Sequence, residues 1–173
     1  MSALSIVLLC SVFSDPSFYM SEGRQKSICK IMPHVVAEAE RNNIDPFLLA
    51  GLITVESNWN SQAISHAGAC GLTQVMPKYT GGRATKRVKY TCEQLKNPRT
   101  AVTAGSDILS WWLYSYAGGD VPTALCGYFS GFRCKPNINK AGERYYRKVL
   151  NRQSSIRNKY EEAVRSQERK AFR

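Results

Sequence analysis

Acidic residues are scarce in this chain. Thirteen Asp and Glu stand against 24 Lys and Arg, a formal net charge of +11 over 173 residues. The imbalance favours acidic partners such as nucleic acid, anionic lipid or a polyanionic cell wall, and charge alone does not choose among them. Long apolar runs are missing too. Residues 3–13 (ALSIVLLCSVF) form one of signal-peptide length, too short to cross a bilayer as a helix, so no transmembrane span is expected. No Lys or Arg precedes that run, although Val12-Phe13-Ser14 ahead of Asp15 places small residues at offsets suited to cleavage. We read residues 1–20 as a leader-like or flexible segment serving export, with Met20 as an alternative start. Ligand patterns for metals are absent: there is no Cys-x-x-Cys, and His34 and His66 lie in no such spacing. No motif implies an organic group, so no cofactor is expected. A helix-turn-helix signature, a zinc site and an aromatic-basic sheet motif are all lacking, which argues against specific nucleic-acid binding.

The length suits one domain with a sizeable core. Six cysteines (Cys10, Cys29, Cys70, Cys92, Cys126 and Cys134) are many for a cytosolic protein of this size and suit an oxidising compartment. Removal of the leader would take Cys10 with it and leave one cysteine unpaired. Cys126 with Cys134 could staple a local loop and Cys70 with Cys92 a longer one, though spacing does not determine connectivity.

The periodicity predicts a mainly α chain. Helices are expected over residues 33–42, over Pro46–Ser57, from Asn97-Pro98 to a stop at Gly118-Gly119, over 122–130, and from Ala141 onward. Residues 68–77 read as a glycine-rich entry into one helical turn stopped by Pro77, and 78–96 as an ordered basic excursion. Excess charge collects from residue 133 onward, and we set the domain at 21–155 with a basic helical or frayed tail over 156–173.

Residues 48–58 (LLAGLITVESN) are the most telling stretch: an apolar run carrying a single carboxylate, Glu56. Asp45-Pro46 before it combines a capping side chain with a residue whose φ is already helical. A helix apolar on nearly every face belongs in a core, so Glu56 is carried to the edge of an apolar environment. Desolvation penalises the charged carboxylate there, the requirement for a general acid near neutral pH. The competing reading is a Glu at the exposed end of a buried helix.

Read together, the segments become specific. Glu56-Ser57 is followed by Ser65 and by Gly68-Ala69-Cys70-Gly71-Leu72-Thr73-Gln74-Val75-Met76-Pro77; later come Asn97-Pro98 with Gly105, Ala124 to Gly131, and Tyr145-Tyr146-x-x-Val149. In this order and spacing the chain resembles the catalytic domain of the soluble lytic transglycosylase family over about residues 29–150. The resemblance implies a single globular, helical, goose-type-lysozyme-like domain with a substrate cleft. It implies non-hydrolytic cleavage of the β-1,4 bond between N-acetylmuramic acid and N-acetylglucosamine in peptidoglycan, leaving a 1,6-anhydro-muramyl end.

On that resemblance Glu56 takes the catalytic acid/base position. Gln74 would hydrogen-bond sugar acetamido groups, Met76 would line the cleft floor, and Ser57 and Ser65 match substrate-binding positions. Tyr128 would orient the Glu56 carboxylate, and Tyr145 would line the same cleft. Hydrolysis by the usual two-carboxylate route needs a second acid across the sugar. No other Asp or Glu sits in a comparable motif: Asp45 reads as a cap and Asp107 as a surface or first-turn residue. Trp59 reads as packing against the site, and Trp111 and Trp112 as core and surface of one helix. Phe129 departs from the family, which usually has Asn there, and Thr73 stands where Met is common.

The expected partners are peptidoglycan glycan strands and, in a larger assembly, virion or secretion-apparatus proteins. Action facing the periplasm or cell wall is expected, reached through the leader-like segment or by virion delivery. The alternative is a weakly active or inactive glycan-binding structural component.

Overall fold

The computed structural model describes residues 1–134 and 139–171; the last two residues of the expected tail lie outside them. The described residues form helices and turns, with no β-strand among them beyond isolated bridges pairing Ile64 with Cys70 and Cys70 with Val75. The order is α1 (Ala3–Ser11), α2 (Glu22–Arg41), α3 (Pro46–Ser57), α4 (Cys92–Leu95), α5 (Pro98–Ser110), α6 (Val121–Ser130) and α7 (Lys140–Ala171). This is the mainly helical architecture expected from the periodicity.

The central element is α3. Asp45 accepts a hydrogen bond from the Phe47 amide at 3.0 Å, Pro46 holds the first helical position, and residues 47–54 are all buried. Its long neighbour is α7, and the two approach closely at Gly51: a Cβ there would stand 2.9 Å from the Gln153 nitrogen and 3.0 Å from the Val149 carbonyl oxygen. The cap is shared, since Asp45 also accepts from Gln153 and Arg157 of α7. α7 stays in contact with the body well beyond the boundary set at residue 155. Ile156 is fully buried, and Tyr160 meets Phe47 edge-on at 5.3 Å between ring centres.

Two prolines behave differently from expectation. Pro33 lies inside α2, which begins eleven residues before the position set by treating that proline as a helix start. The lost amide is outweighed by the apolar face that the first half contributes, since Ile28, Ile31 and Met32 are buried. Pro77 starts a 3-10 turn, Pro77–Tyr79, and the segment before it is an irregular turn, not a helical one. Asp107 is also corrected. It is buried, accepting from Arg41 at 2.6 Å, Lys86 at 2.7 Å and Asn42 at 3.1 Å. A carboxylate removed from water needs such partners, and the sequence did not show that α2 and the 78–96 excursion would both send a cation to it. α5 runs directly into a π-helical turn, Trp111–Tyr116, before the two glycines.

All six cysteines are paired: Cys10–Cys29, Cys70–Cys92 and Cys126–Cys134. The first bridge ties α1 to α2. Around it Leu9 and Phe13 are fully buried, and Phe13 meets Trp59 edge-on at 5.1 Å. The N-terminal segment thus covers one side of the core that supports the end of α3. Replacing Cys10 and Cys29 together by Ser is expected to lower unfolding stability by about 2–4 kcal/mol, as for a bridge closing a loop of this length. Urea titration of the purified double variant checks this, and an unchanged midpoint would mean that the N-terminal segment does not stay docked.

Candidate active site

Glu56 occupies the last turn of α3, after the apolar residues that bury the helix. The chain then leaves abruptly, with Asn58 and Trp59 both left-handed at φ 48° and 62°. Trp59 is buried and donates its indole N–H to the Thr54 hydroxyl at 2.9 Å. This fixes the exit of the helix and leaves Glu56 half-buried, packed round by protein yet open to the surface. Burial pushes its carboxyl up from 4.5 to about 7, against a smaller opposing effect of a hydrogen bond from the Tyr145 hydroxyl. The two influences are removal from water, which comes first, and the tyrosine hydroxyl.

Tyr145 is nearly buried in the first turns of α7 and donates to one Glu56 carboxylate oxygen. Tyr128, on α6, donates instead to the Thr73 carbonyl at 2.7 Å. The bond to Glu56 expected of Tyr128 is therefore made by Tyr145. Tyr128 instead ties α6 to the loop at Thr73. Both hydroxyls are held well above the usual tyrosine range, by burial first and by the Glu56 charge second, so both remain donors. Thr73 is itself anchored: its hydroxyl donates to the Ala101 carbonyl at 2.7 Å, and it sits against Gly105, where a Cβ would stand 2.4 Å from it.

The loop carrying the remaining expected residues is organised by its own side chains. Ser57 donates to the Leu72 carbonyl at 2.8 Å, fastening the loop to the end of α3. Ser65 accepts from the Ala69 amide at 3.0 Å, closing the turn at Gly68. Gln74 is left-handed at φ 50° and donates through its amide to the carbonyls of Ala63 at 3.1 Å and Gly71 at 3.0 Å. Gly71 has φ 74° and so little room that a Cβ would stand 1.9 Å from the Leu95 carbonyl oxygen. Met76 is half-buried just ahead of Pro77. Glu56, Tyr128 and Tyr145 are thus brought together electrostatically, whereas Ser57, Ser65 and Gln74 make hydrogen bonds to the backbone of the loop and of the end of α3. A cavity of about 340 Å³ lined by Arg24, Trp59 and Leu72 is lined by none of the seven expected site residues.

The raised Glu56 pKa also changes folding stability. The folded state holds the Glu56 proton more tightly than the unfolded chain does, so the residue costs nothing below about pH 4 and is most destabilising above about pH 7. Glu56→Gln is expected to gain about 1–2 kcal/mol of unfolding stability at about pH 8, and almost none at about pH 4, allowing for the opening to solvent. Urea titrations at both pH values check this, and a pH-independent difference would contradict the buried-acid geometry.

The chain is 35% identical over 103 residues to membrane-bound lytic murein transglycosylase C of Actinobacillus succinogenes, covering 56% of this chain and 28% of that protein. It is 44% identical over 85 residues to the protein of the same name from Haemophilus influenzae, covering 46% and 24%. It is 35% identical over 95 residues to a transglycosylase of Enterobacteria phage PRD1, covering 55% and 32%. The chain spans about a quarter to a third of the length of these relatives. Among solved structures, the 70 kDa soluble lytic transglycosylase of Escherichia coli superposes with a TM-score of 0.65 at 17% identity, over 87% of this chain and 29% of that one. An inactive mutant of lytic transglycosylase Slt from Pseudomonas aeruginosa gives 0.62 at 21%, over 73% and 24%. Those likenesses establish the lysozyme-like helical fold. The Transglycosylase SLT domain matches residues 34–150, more than half of the chain, and the protein belongs to that family.

Proposed function

We propose that the protein is a lytic transglycosylase that cleaves the β-1,4 bond between N-acetylmuramic acid and N-acetylglucosamine in peptidoglycan, with Glu56 as its acid and base. The observation that carries this reading is a carboxyl pushed up to about 7 by burial and held by a hydrogen bond from Tyr145. In the first step protonated Glu56 gives its proton to the glycosidic oxygen and the bond to C1 breaks. In the second, the Glu56 carboxylate takes the proton of the muramyl C6 hydroxyl as that oxygen closes on C1. The proton removed equals the proton given, water is not consumed, and the product is the 1,6-anhydro sugar. The N-acetyl group of the substrate supports the positive charge that develops between the steps. A two-carboxylate mechanism would require a partner about 5–10 Å across the sugar.

Substrate contacts come from a cleft beside Glu56: Tyr128 and Tyr145 on its walls and Met76 on its floor, with Ser57, Ser65 and Gln74 shaping the loop that borders it. The basic surface suits a polyanionic wall. The setting we favour is local opening of the wall, at bacteriophage entry or within a secretion or conjugation apparatus, with virion or apparatus proteins as partners. The three disulfides suit a periplasmic or wall-facing location. Among the described residues no helix is long and apolar enough to cross a membrane.

Muropeptides released from isolated peptidoglycan are expected to carry 1,6-anhydro ends by mass spectrometry, and Glu56→Gln to lower their yield by a factor of about 10³ or more. Reducing ends would mean hydrolysis. Binding without any product would favour a structural glycan-binding component, to which the altered Phe129 position is the pointer. In the active enzyme, kcat/KM is expected to fall as pH rises through about 7, because the first step needs the protonated acid. Tyr145→Phe removes a bond that favours the carboxylate, so it should move that limb to higher pH and lower the rate about tenfold to a hundredfold. Tyr128→Phe should lower the rate less and leave the limb in place. A pH–rate series on the three proteins checks both outcomes.

A further inference from the structure

Phe129 plays no part in the proton transfers above, yet it lies one ring away from them. It stacks on Tyr145 with ring centres 4.7 Å apart and planes inclined by 14°. Tyr145 in turn donates to Glu56. The layers therefore run from the Glu56 carboxyl to the Tyr145 ring to the Phe129 ring, and Tyr145 is nearly buried while Phe129 is 51% exposed. A large apolar ring is left in contact with water beside the tyrosine that holds Glu56.

Its position is well determined. Phe129 is the penultimate residue of α6, and the Cys126–Cys134 bridge closes the turn that follows. On the same helix Gly127 lies so close to Trp112 that a Cβ would stand 2.4 Å from the indole. Tyr128 is tied to the Thr73 carbonyl, which prevents the helix end from turning away from the loop. A side chain presented by packed, cross-linked helix ends is suited to recognition, because little freedom remains to be lost on binding.

We propose that Phe129 forms a sugar subsite, its exposed surface carrying a pyranose ring of the glycan strand that runs past Glu56. The inference rests on the glycan-cleaving reading given above. The face of an aromatic ring is electron-rich, and the axial C–H groups of a β-linked pyranose form a flat, slightly positive face that packs against it. The contact removes apolar surface of both partners from water. An Asn at this position would recognise hydrogen-bonding substituents; Phe recognises the ring itself. The subsite therefore depends on the C–H face of the sugar and tolerates changes in its polar substituents.

The test uses the full chain with its disulfides intact. Binding of a soluble β-1,4-linked N-acetylglucosamine hexamer to Glu56→Gln is measured by calorimetry and compared with Glu56→Gln/Phe129→Ala and Glu56→Gln/Phe129→Trp. Loss of the ring is expected to weaken binding about tenfold, and Trp to keep it within about threefold. In the active protein, Phe129→Ala should raise KM about tenfold and leave kcat within about twofold. Thermal melts of the same samples should coincide, since the side chain is half exposed. Equal affinities for the Ala and parent proteins would overturn the subsite, as would a fall in kcat at unchanged KM, which would make Phe129 only a support for Tyr145. If Glu56→Gln bound neither the hexamer nor isolated peptidoglycan, the glycan-cleaving reading would fall and the subsite with it.

Discussion

Where α3 crosses α7 at Gly51 there is no space for even a methyl group, and the backbones of the two helices meet almost directly. That approach sets how far Glu56, at the end of α3, stands from Tyr145, near the start of α7. A larger residue at Gly51 would push the helices apart and lengthen the bond between the two side chains. The cap of α3 enforces the same register from the other end, because Asp45 is shared with Gln153 and Arg157 of α7. The carboxyl is thus raised by burial and held by one donor, a balance between desolvation and hydrogen bonding that neither helix provides alone.

The rest of the molecule keeps this pair of helices covered while leaving one side open. α1 and α2 are joined by the Cys10–Cys29 bridge, and the 3-10 turn after α1 lays Phe13 against Trp59 beside the exit of α3. The loop after α3 has little regular structure and is held instead by specific bonds: Ser57 to Leu72, Tyr128 to Thr73, Thr73 to Ala101, and the Cys70–Cys92 bridge. Away from the site, Asp107 gathers Arg41, Lys86 and Asn42 and joins α2, α5 and the basic excursion. Its desolvation is offset by three donors, so the cluster specifies how these segments meet more than it adds net stability.

Much of the fold was legible because the signals were local. Asp45-Pro46 and Asn97-Pro98 start helices as read, for their side chains cap the following amides within two or three residues. Gly118-Gly119 ends the third expected helix because both residues take positive φ. Pro33 misled, since a proline that opens a helix and one carried inside it look alike in sequence; only the burial of Ile28, Ile31 and Met32 decides between them. The leader-like run showed the same ambiguity, because an apolar stretch reads alike whether it is destined for export machinery or packs at Leu9 and Phe13.

The candidate site divides along the same line. From the sequence alone come the carboxylate in an apolar helix, the glycine-rich loop after it and the scarcity of competing acids, because each depends on residues near one another in the chain. Which tyrosine meets Glu56 was not readable. Tyr128 and Tyr145 are both aromatic residues on helices of suitable pattern, and their hydroxyls are assigned only when α6 and α7 dock. The pairing of Phe129 with Tyr145, and the burial of Asp107 by cations from two distant segments, were decided there as well. Helix starts, stops and apolar faces are properties of a few successive residues, whereas a hydrogen bond between positions 89 residues apart is a property of packing.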